Sequence, residues 1–315
     1  MNLNGLLISE AGTGSGNFFD GLDVSEATRK DYSARVGLFI SYLDQHGFHQ
    51  QSCTAFKRYL QLRPDYTVST KNKYLATARV FLKELNRRGL LSIDITYNVK
   101  QFRQTKKHKR EGLSDDQVHL LGVKIKYLPP TPRNLRLKAM YALLAFQGLR
   151  QIEIVRLNVE DIDLNRKVMF VQGKGETDKE PVYLAPASIK ALREYLAGYQ
   201  FTSGALFRSL GNRRSERMDT RTIKREFGAL FKELGYEKTV HGFRHFYVTE
   251  LLKNMDLRDV RKFSRHRSLE MLMIYDDEIS IQKKAQMVFQ VMERFGSVSS
   301  EPPSSDSVRT ATCRK

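Results

Sequence analysis

Cysteine is nearly missing from this 315-residue chain: Cys53 and Cys313 are the only two, and they stand far apart. That excludes a disulfide framework and a cysteine-based zinc site. No run of about eighteen apolar residues occurs, so no membrane-spanning helix and no membrane partner are expected. The opening stretch, MNLNGLLISEAGTGSG, has neither a basic leader nor an apolar core, and a secretory signal is not expected. There is no GxxxxGKS or GxxxxGKT loop to cradle a nucleotide. There is also no carboxylate cluster of the two-metal kind, so no metal and no other cofactor is expected. Acid is the other shortage: 35 Asp plus Glu face 53 Lys plus Arg, a net charge of +18. The composition is otherwise that of an ordinary folded, cytoplasmic protein, with 41% hydrophobic and 28% charged residues. The excess of base therefore points to a polyanionic partner, with nucleic acid ahead of an anionic membrane surface.

The length suits two domains. Residues 1–21 are rich in Gly, Ser and Asn, show no period, and read as a flexible arm. A helical domain is expected over 22–100. Ser25 begins its first helix, with Tyr32, Val36, Phe39, Ile40 and Leu43 on one face and Gly47 as the stop. A short helix follows from about Thr54 to Leu62. Ser69 then caps a third, striped by Tyr74, Ala78, Phe81, Leu82 and Leu85 and ended at Gly89. The other faces carry Arg29, Lys30, Arg35, Lys71, Lys73 and Arg79. One basic face is usually just solvated; two in so basic a chain favour a phosphate backbone. KQFRQTKKHKR makes 101–112 a basic linker, in which Lys106 and Lys107 are candidate phosphate contacts.

A second domain is expected over 113–295. Leu113 to Asp116 reads as a helix start, and the broad apolar run from about Arg133 to Gly148 reads as a central buried helix. Arg150 then opens a helix after a glycine turn, where an anion already finds free N–H groups. Glu153 can pair with a basic neighbour or cap that turn. Short strands are expected at Val159–Ile162, Lys167–Val171 and Pro181–Leu184, with Lys174 between two glycines in the last hairpin. Lysines in turns commonly do no more than keep a protein soluble. Helices follow at about 188–195 and 219–234, the latter exposing Lys224 and Arg225. The chain as a whole reads as mainly α with a small antiparallel β-sheet. A last amphipathic helix, about Ser280 to Phe295, reads as a surface for a neighbouring copy, and the Ser/Pro-rich tail 296–315 as disordered.

The densest chemistry lies between His241 and Tyr275. His241, Arg244 and His245 share a helix face at i, i+3 and i+4, and Arg265, His266 and Arg267 form a second basic knot nine residues before Tyr275. Taken singly, such residues are more often surface charge and half-buried packing. Together with Arg150 and Lys174 they supply every part needed for attack by a tyrosine hydroxyl on a DNA phosphodiester. Two guanidiniums can hold the non-bridging oxygens, histidines can donate hydrogen bonds or move the nucleophile's proton, and a lysine can protonate the leaving oxygen.

In order and spacing, GLRxxE at Arg150, GKG at Lys174, HGFRH from His241, His266 and Tyr275 resemble the tyrosine recombinase (phage integrase, Xer-like) family over about 113–295. Residues 22–100 are similar to that family's core-binding, SAM-like domain. The resemblance implies a C-shaped, two-domain clamp on duplex DNA. Arg150, Lys174, His241, Arg244, His266 and Tyr275 are then the catalytic set, with Tyr275 the nucleophile, Lys174 the general acid, and Glu153 and His245 in support. It further implies a 3′-phosphotyrosine link, a Holliday junction and inverted-repeat half-sites. The expected assembly is a homotetramer, or a heterotetramer with a second recombinase, joined through the C-terminal helix, with a translocase or accessory protein as a further partner. Resolution of chromosome or plasmid dimers is one role of that kind. A non-catalytic DNA-binding regulator and a type IB topoisomerase-like swivelling enzyme are the alternatives. Two departures stand out. Arg265 occupies a position where members commonly have Gly, and the segment before the tyrosine is Met271, Leu272, Met273 and Ile274 rather than small polar residues. Candidate DNA readers beyond the site are Lys71, Lys73, Arg79, Lys224 and Arg225.

Overall fold

The computed structural model describes residues 18–104, 112–173, 175–199, 202–210, 216–273, 275, 289, 292 and 293. The chain divides into two compact units, 1–106 and 107–315.

The first unit holds three helices among its described residues: α1 (Glu26–His46), α2 (Ser52–Gln61) and α3 (Val68–Arg87). Ser25 caps α1 by accepting the Thr28 N–H, and Gly47, at φ +74, ends it. Thr67 caps α3, so this helix begins two residues ahead of the expected Ser69. Phe39, Phe56, Leu75, Phe81 and Leu82 make a fully enclosed aromatic and aliphatic core. The core reaches further along the chain than the composition suggests. Phe18 and Phe19 are buried in it, Phe18 lying 4.8 Å from Phe81 with the Arg88 guanidinium over its ring at 4.4 Å. The stretch expected to be a flexible arm is therefore anchored at residues 18 and 19, because two adjacent aromatics outweigh a polar neighbourhood. At the other end Phe102 packs on the same core, and its backbone exchanges two hydrogen bonds with the Asn72 side chain. The first residues of the expected basic linker thus belong to this unit; Lys106 and Lys107 lie outside the described residues.

The second unit is built on α5 (Pro132–Phe146), flanked by α4 (Asp115–Lys126) and α7 (Pro186–Tyr199). Thr131 caps α5, and a reciprocal Ser114–Gln117 capping box starts α4. Residues 139–145 of α5 are all buried, which is why its apolar run has no clean stripe. After α5 the chain turns at Gly148 into the short α6 (Gln151–Arg156). Three antiparallel strands follow in sequence order, β1 (Ile162–Asp163), β2 (Val168–Gln172) and β3 (Lys179–Tyr183), with Met169 opposite Val182. The expected strand from Val159 is instead a 3-10 turn over Val159–Asp161. Asp161 accepts the Asn158 N–H and pairs with Lys179, so its side chain replaces the ladder. Helices α8 (Thr220–Glu233), α9 (His241–Asn254) and α10 (Leu257–Ser264) complete the unit. Ile223, Phe227 and Phe231 of α8 and Phe243 of α9 join the main core. Val248, Leu252, Val260, Leu272 and Tyr275 form a small separate one. Most of the expected C-terminal helix and the tail lie outside the described residues. Among those described, no helix is long and apolar enough to cross a membrane, and no group of three or more side chains is placed to hold a metal ion.

Candidate active site

Two helix starts and one helix end meet at the site. Gly148, at φ +57, reverses the chain after α5 and leaves Arg150 as the extended N-cap of α6. Glu153, one turn on, is fully buried. It accepts the Arg150 N–H on Oε2 at 2.8 Å and the Arg150 guanidinium on Oε1 at 2.6 Å. Burial alone would raise the Glu153 carboxyl, but Arg265, then Arg150 and Arg244, outweigh it and hold the group below its ordinary range.

Arg244 lies in the first turn of α9 with 2% of its surface exposed. A buried guanidinium needs acceptors, and main-chain carbonyls supply them: Nη1 donates to Gly148 O at 2.8 Å and Nη2 to Ser264 O. Nη2 also lies 3.4 Å from His266 Nε2. Burial, followed by the neighbouring charge of Arg150, pushes Arg244 down to about 9.

Helix α10 stops at Ser264 because Arg265 turns left-handed, at φ 54 and ψ 45. For an L-residue this conformation costs of order 1 kcal/mol. The Arg265 side chain is only 6% exposed and reaches back to Glu153 Oε2 at 3.1 Å. Its backbone carbonyl faces Arg150 Nη2 at 3.5 Å. His266 is buried next to it, with Nδ1 2.8 Å from Ser264 Oγ. Burial, then Arg244, Arg150, Arg265 and His241, drive the imidazole down to about 3, so it is neutral near pH 7.

Tyr275 completes the cluster. It is 5% exposed, its ring centroid 4.6 Å from that of His245 and 6.3 Å from that of His266. Burial raises its hydroxyl pKa, while Arg244 and Arg150 pull the other way. Tyr247, on α9, is a packing residue: a Cβ on Gly148 would fall 2.3 Å from its ring. His241 is exposed at the head of α9. Lys174 lies outside the described residues, but the hairpin on either side of it is tied down. Arg156 donates to Gly173 O at 2.9 Å, and Arg267 donates to Gly175 O at 2.9 Å and to Glu176 at 2.8 Å.

Of the expected site residues, Arg150, Glu153, Arg244, His245, His266 and Tyr275 therefore stand in one connected group. Ser264 and Arg265 join it without having been singled out as site residues, and Arg267 ties the hairpin next to Lys174 instead. The signal for Arg265 was its place just after a helix, where a left-handed turn favours Gly. Among the outlying candidates, Lys73, Lys224 and Arg225 are exposed. Lys71 donates to Gln61 O at 2.9 Å. Arg79 is half-buried, with its Nε enclosed and its charge near Asp94.

Residues 112–279 match the model of the phage integrase family. The tyrosine recombinase XerC of Lactobacillus delbrueckii subsp. bulgaricus is 30% identical over 218 residues, which is 66% of this chain and 71% of that protein. The tyrosine recombinase XerA of Thermococcus kodakarensis is 26% identical over 284 residues, 81% of this chain and 95% of that one. Two solved structures share the fold. The XerH site-specific recombinase bound to a palindromic difH substrate, in a post-cleavage complex, superposes with a TM-score of 0.67 at 17% identity, covering 83% of this chain and 79% of that one. A lambda integrase dimer bound to a COC' core site gives 0.64 at 15% identity, covering 88% and 95%. With its tyrosine, guanidiniums and histidine gathered in one group, and with more than half its length matching the family model, this chain belongs to the phage integrase family of tyrosine recombinases.

Proposed function

We propose that the protein cuts and rejoins duplex DNA at specific sites through a covalent 3′-phosphotyrosine intermediate on Tyr275. The observation that carries this reading is the meeting of His266 and Tyr275 with the Arg150 and Arg244 guanidiniums, brought together from four separate segments. Three guanidiniums against one Glu153 leave an excess of positive charge where a phosphodiester would sit. Arg150 and Arg244 hold its non-bridging oxygens. The Tyr275 oxygen attacks phosphorus, a P–O bond to tyrosine forms, and the bond to the 5′ oxygen breaks. The tyrosine proton passes to the neutral His266 imidazole, whose basicity rises as the phosphate offsets the surrounding arginines. Lys174 protonates the leaving 5′ oxygen and His241 donates a further hydrogen bond to the phosphate. Because the phosphotyrosyl bond conserves the phosphodiester's energy, a hydroxyl from another strand can reseal it.

In this reading the protein binds inverted-repeat half-sites, and recombination proceeds through a Holliday junction in a tetramer joined through the C-terminal segment. The protein acts in the cytoplasm on chromosome or plasmid DNA, alone or with a second recombinase. Relatives named tyrosine recombinase XerC and XerA support the recombinase chemistry, and resolution of chromosome or plasmid dimers is one role it would serve. The test is a nicked suicide duplex carrying the site that the protein itself selects from random sequence. Wild type becomes covalently attached and Tyr275→Phe does not. An adduct formed by Tyr275→Phe overturns the assignment of the nucleophile. Binding by wild type with no adduct fits a non-catalytic regulator instead, and relaxation of plasmids without recombinants fits a swivelling enzyme.

A further inference from the structure

We propose that Arg265 is a positioning residue for Arg150, acting through Glu153. This rests on the phosphate-transfer reading above. The backbone at residue 265 is one that glycine adopts freely and arginine does not, at φ +54. Local preference therefore argues against this residue, and its side chain must supply the compensation. It does so at a single carboxylate. Glu153 Oε2 receives both the Arg265 guanidinium, at 3.1 Å, and the Arg150 N–H, at 2.8 Å. Oε1 receives the Arg150 guanidinium at 2.6 Å. The same residue touches Arg150 a second time, through its carbonyl at 3.5 Å from Nη2. Arg265 keeps this arrangement although its own Nε is enclosed without an acceptor.

The consequence is electrostatic as well as geometric. A buried carboxylate facing Arg150 alone would form a closed pair, and Arg150 would have little charge left for a ligand. Shared with Arg265, Glu153 is neutralised from two sides and Arg150 is held in place with charge to spare. Arg265 itself does not have to touch the phosphate.

A double-mutant cycle on the full-length protein tests this, using the selected suicide duplex at saturation. Arg265→Gly suits the left-handed backbone, and Glu153→Gln keeps the side-chain shape, so both variants fold. Each slows adduct formation by about ten- to a hundredfold, the scale of a small misplacement of a reacting group. Duplex affinity changes by less than about threefold, and Arg265→Lys recovers part of the rate. The Arg265→Gly/Glu153→Gln protein is no slower than the slower single variant, because both act on the same residue. Cleavage by Arg265→Gly at the wild-type rate, or losses that multiply in the double variant, overturns the proposal. Melting midpoints of the same four proteins report the coupling without any chemistry, and additive shifts there remove the link between the two side chains. If wild type binds the duplex but forms no adduct, the recombinase reading falls first and the positioning role falls with it.

Discussion

His266 is buried beside Arg244, Arg150 and Arg265, and it stays uncharged as a result. The sign of the effect on stability follows directly. The unfolded chain takes up a proton at this residue near pH 6.5, whereas the folded chain refuses it until about pH 3. Between those values the unfolded state binds more protons, so folding stability declines as pH falls below about 6.5, and above that pH the residue contributes no slope. Urea unfolding of wild type and His266→Gln from pH 4 to 8 checks this. The two stability curves diverge at neutral pH and converge towards acid; a difference that stays constant with pH sinks the assignment. The reason for the pocket's design lies at the same scale. Arg244 reaches carbonyls with both terminal nitrogens, at Gly148 and Ser264, so a planar fork does what a lysine's point charge does not. None of this was legible in the sequence beyond the residue types themselves. HGFRH announces two bases and a guanidinium, but not that the guanidinium is buried or that the later histidine is held neutral.

At the scale of elements, local signals carried well where they were chemical. Ser25, Ser114 and Asp219 cap the helices they precede, and Gly47, Gly89 and Gly148 sit at positive φ where helices end. They carried less well where side chains compete with the backbone. Val159 to Ile162 has a strand's composition, yet Asp161 turns its first three residues into a 3-10 turn and leaves only Ile162 in β1. Arg265 was legible only as a departure from the usual Gly: its left-handed turn is held by a partner 112 residues away, which no local window contains. Gly148 shows how tightly one turn governs the site. It sets the direction of Arg150, its carbonyl receives Arg244, and it leaves room for the Tyr247 ring. Gly148→Ala combines an unfavourable φ with a Cβ 2.3 Å from that ring. The expected loss is about 2–4 kcal/mol of stability, measured by urea unfolding, together with slower adduct formation. A variant as stable as wild type would mean that the turn relaxes more easily than its contacts imply.

For the molecule as a whole, the +18 charge should govern affinity for DNA more than any single base contact. Lys224 and Arg225 are exposed on α8, neither facing the core of its unit. If each neutralises one phosphate, replacing both with alanine reduces the slope of log Kd against log salt by about two, equally on the selected site and on random duplex. A loss confined to the selected site would make them base readers instead. The division into a helical unit and a mixed unit could be expected from the change in pattern near Gly112. The anchoring of Phe18, Phe19 and Phe102 in the first unit could not, because aromatics in a polar stretch do not reveal which core they will join.

The Arg244–Gly148 carbonyl contact and the Arg265–Glu153 pair span 96 and 112 residues of chain. Closing loops of that size delays assembly, so the pocket forms late in folding, after the local helices. During synthesis the order is stricter still. A nascent chain that has not yet released Ser264 to Tyr275 from the ribosome has Arg150, Arg244 and the Gly148 carbonyl but lacks the Ser264 carbonyl and the Tyr275 hydroxyl, the proposed nucleophile. On the proposed chemistry, cutting DNA is thus withheld from unfinished chains by the order in which their residues emerge.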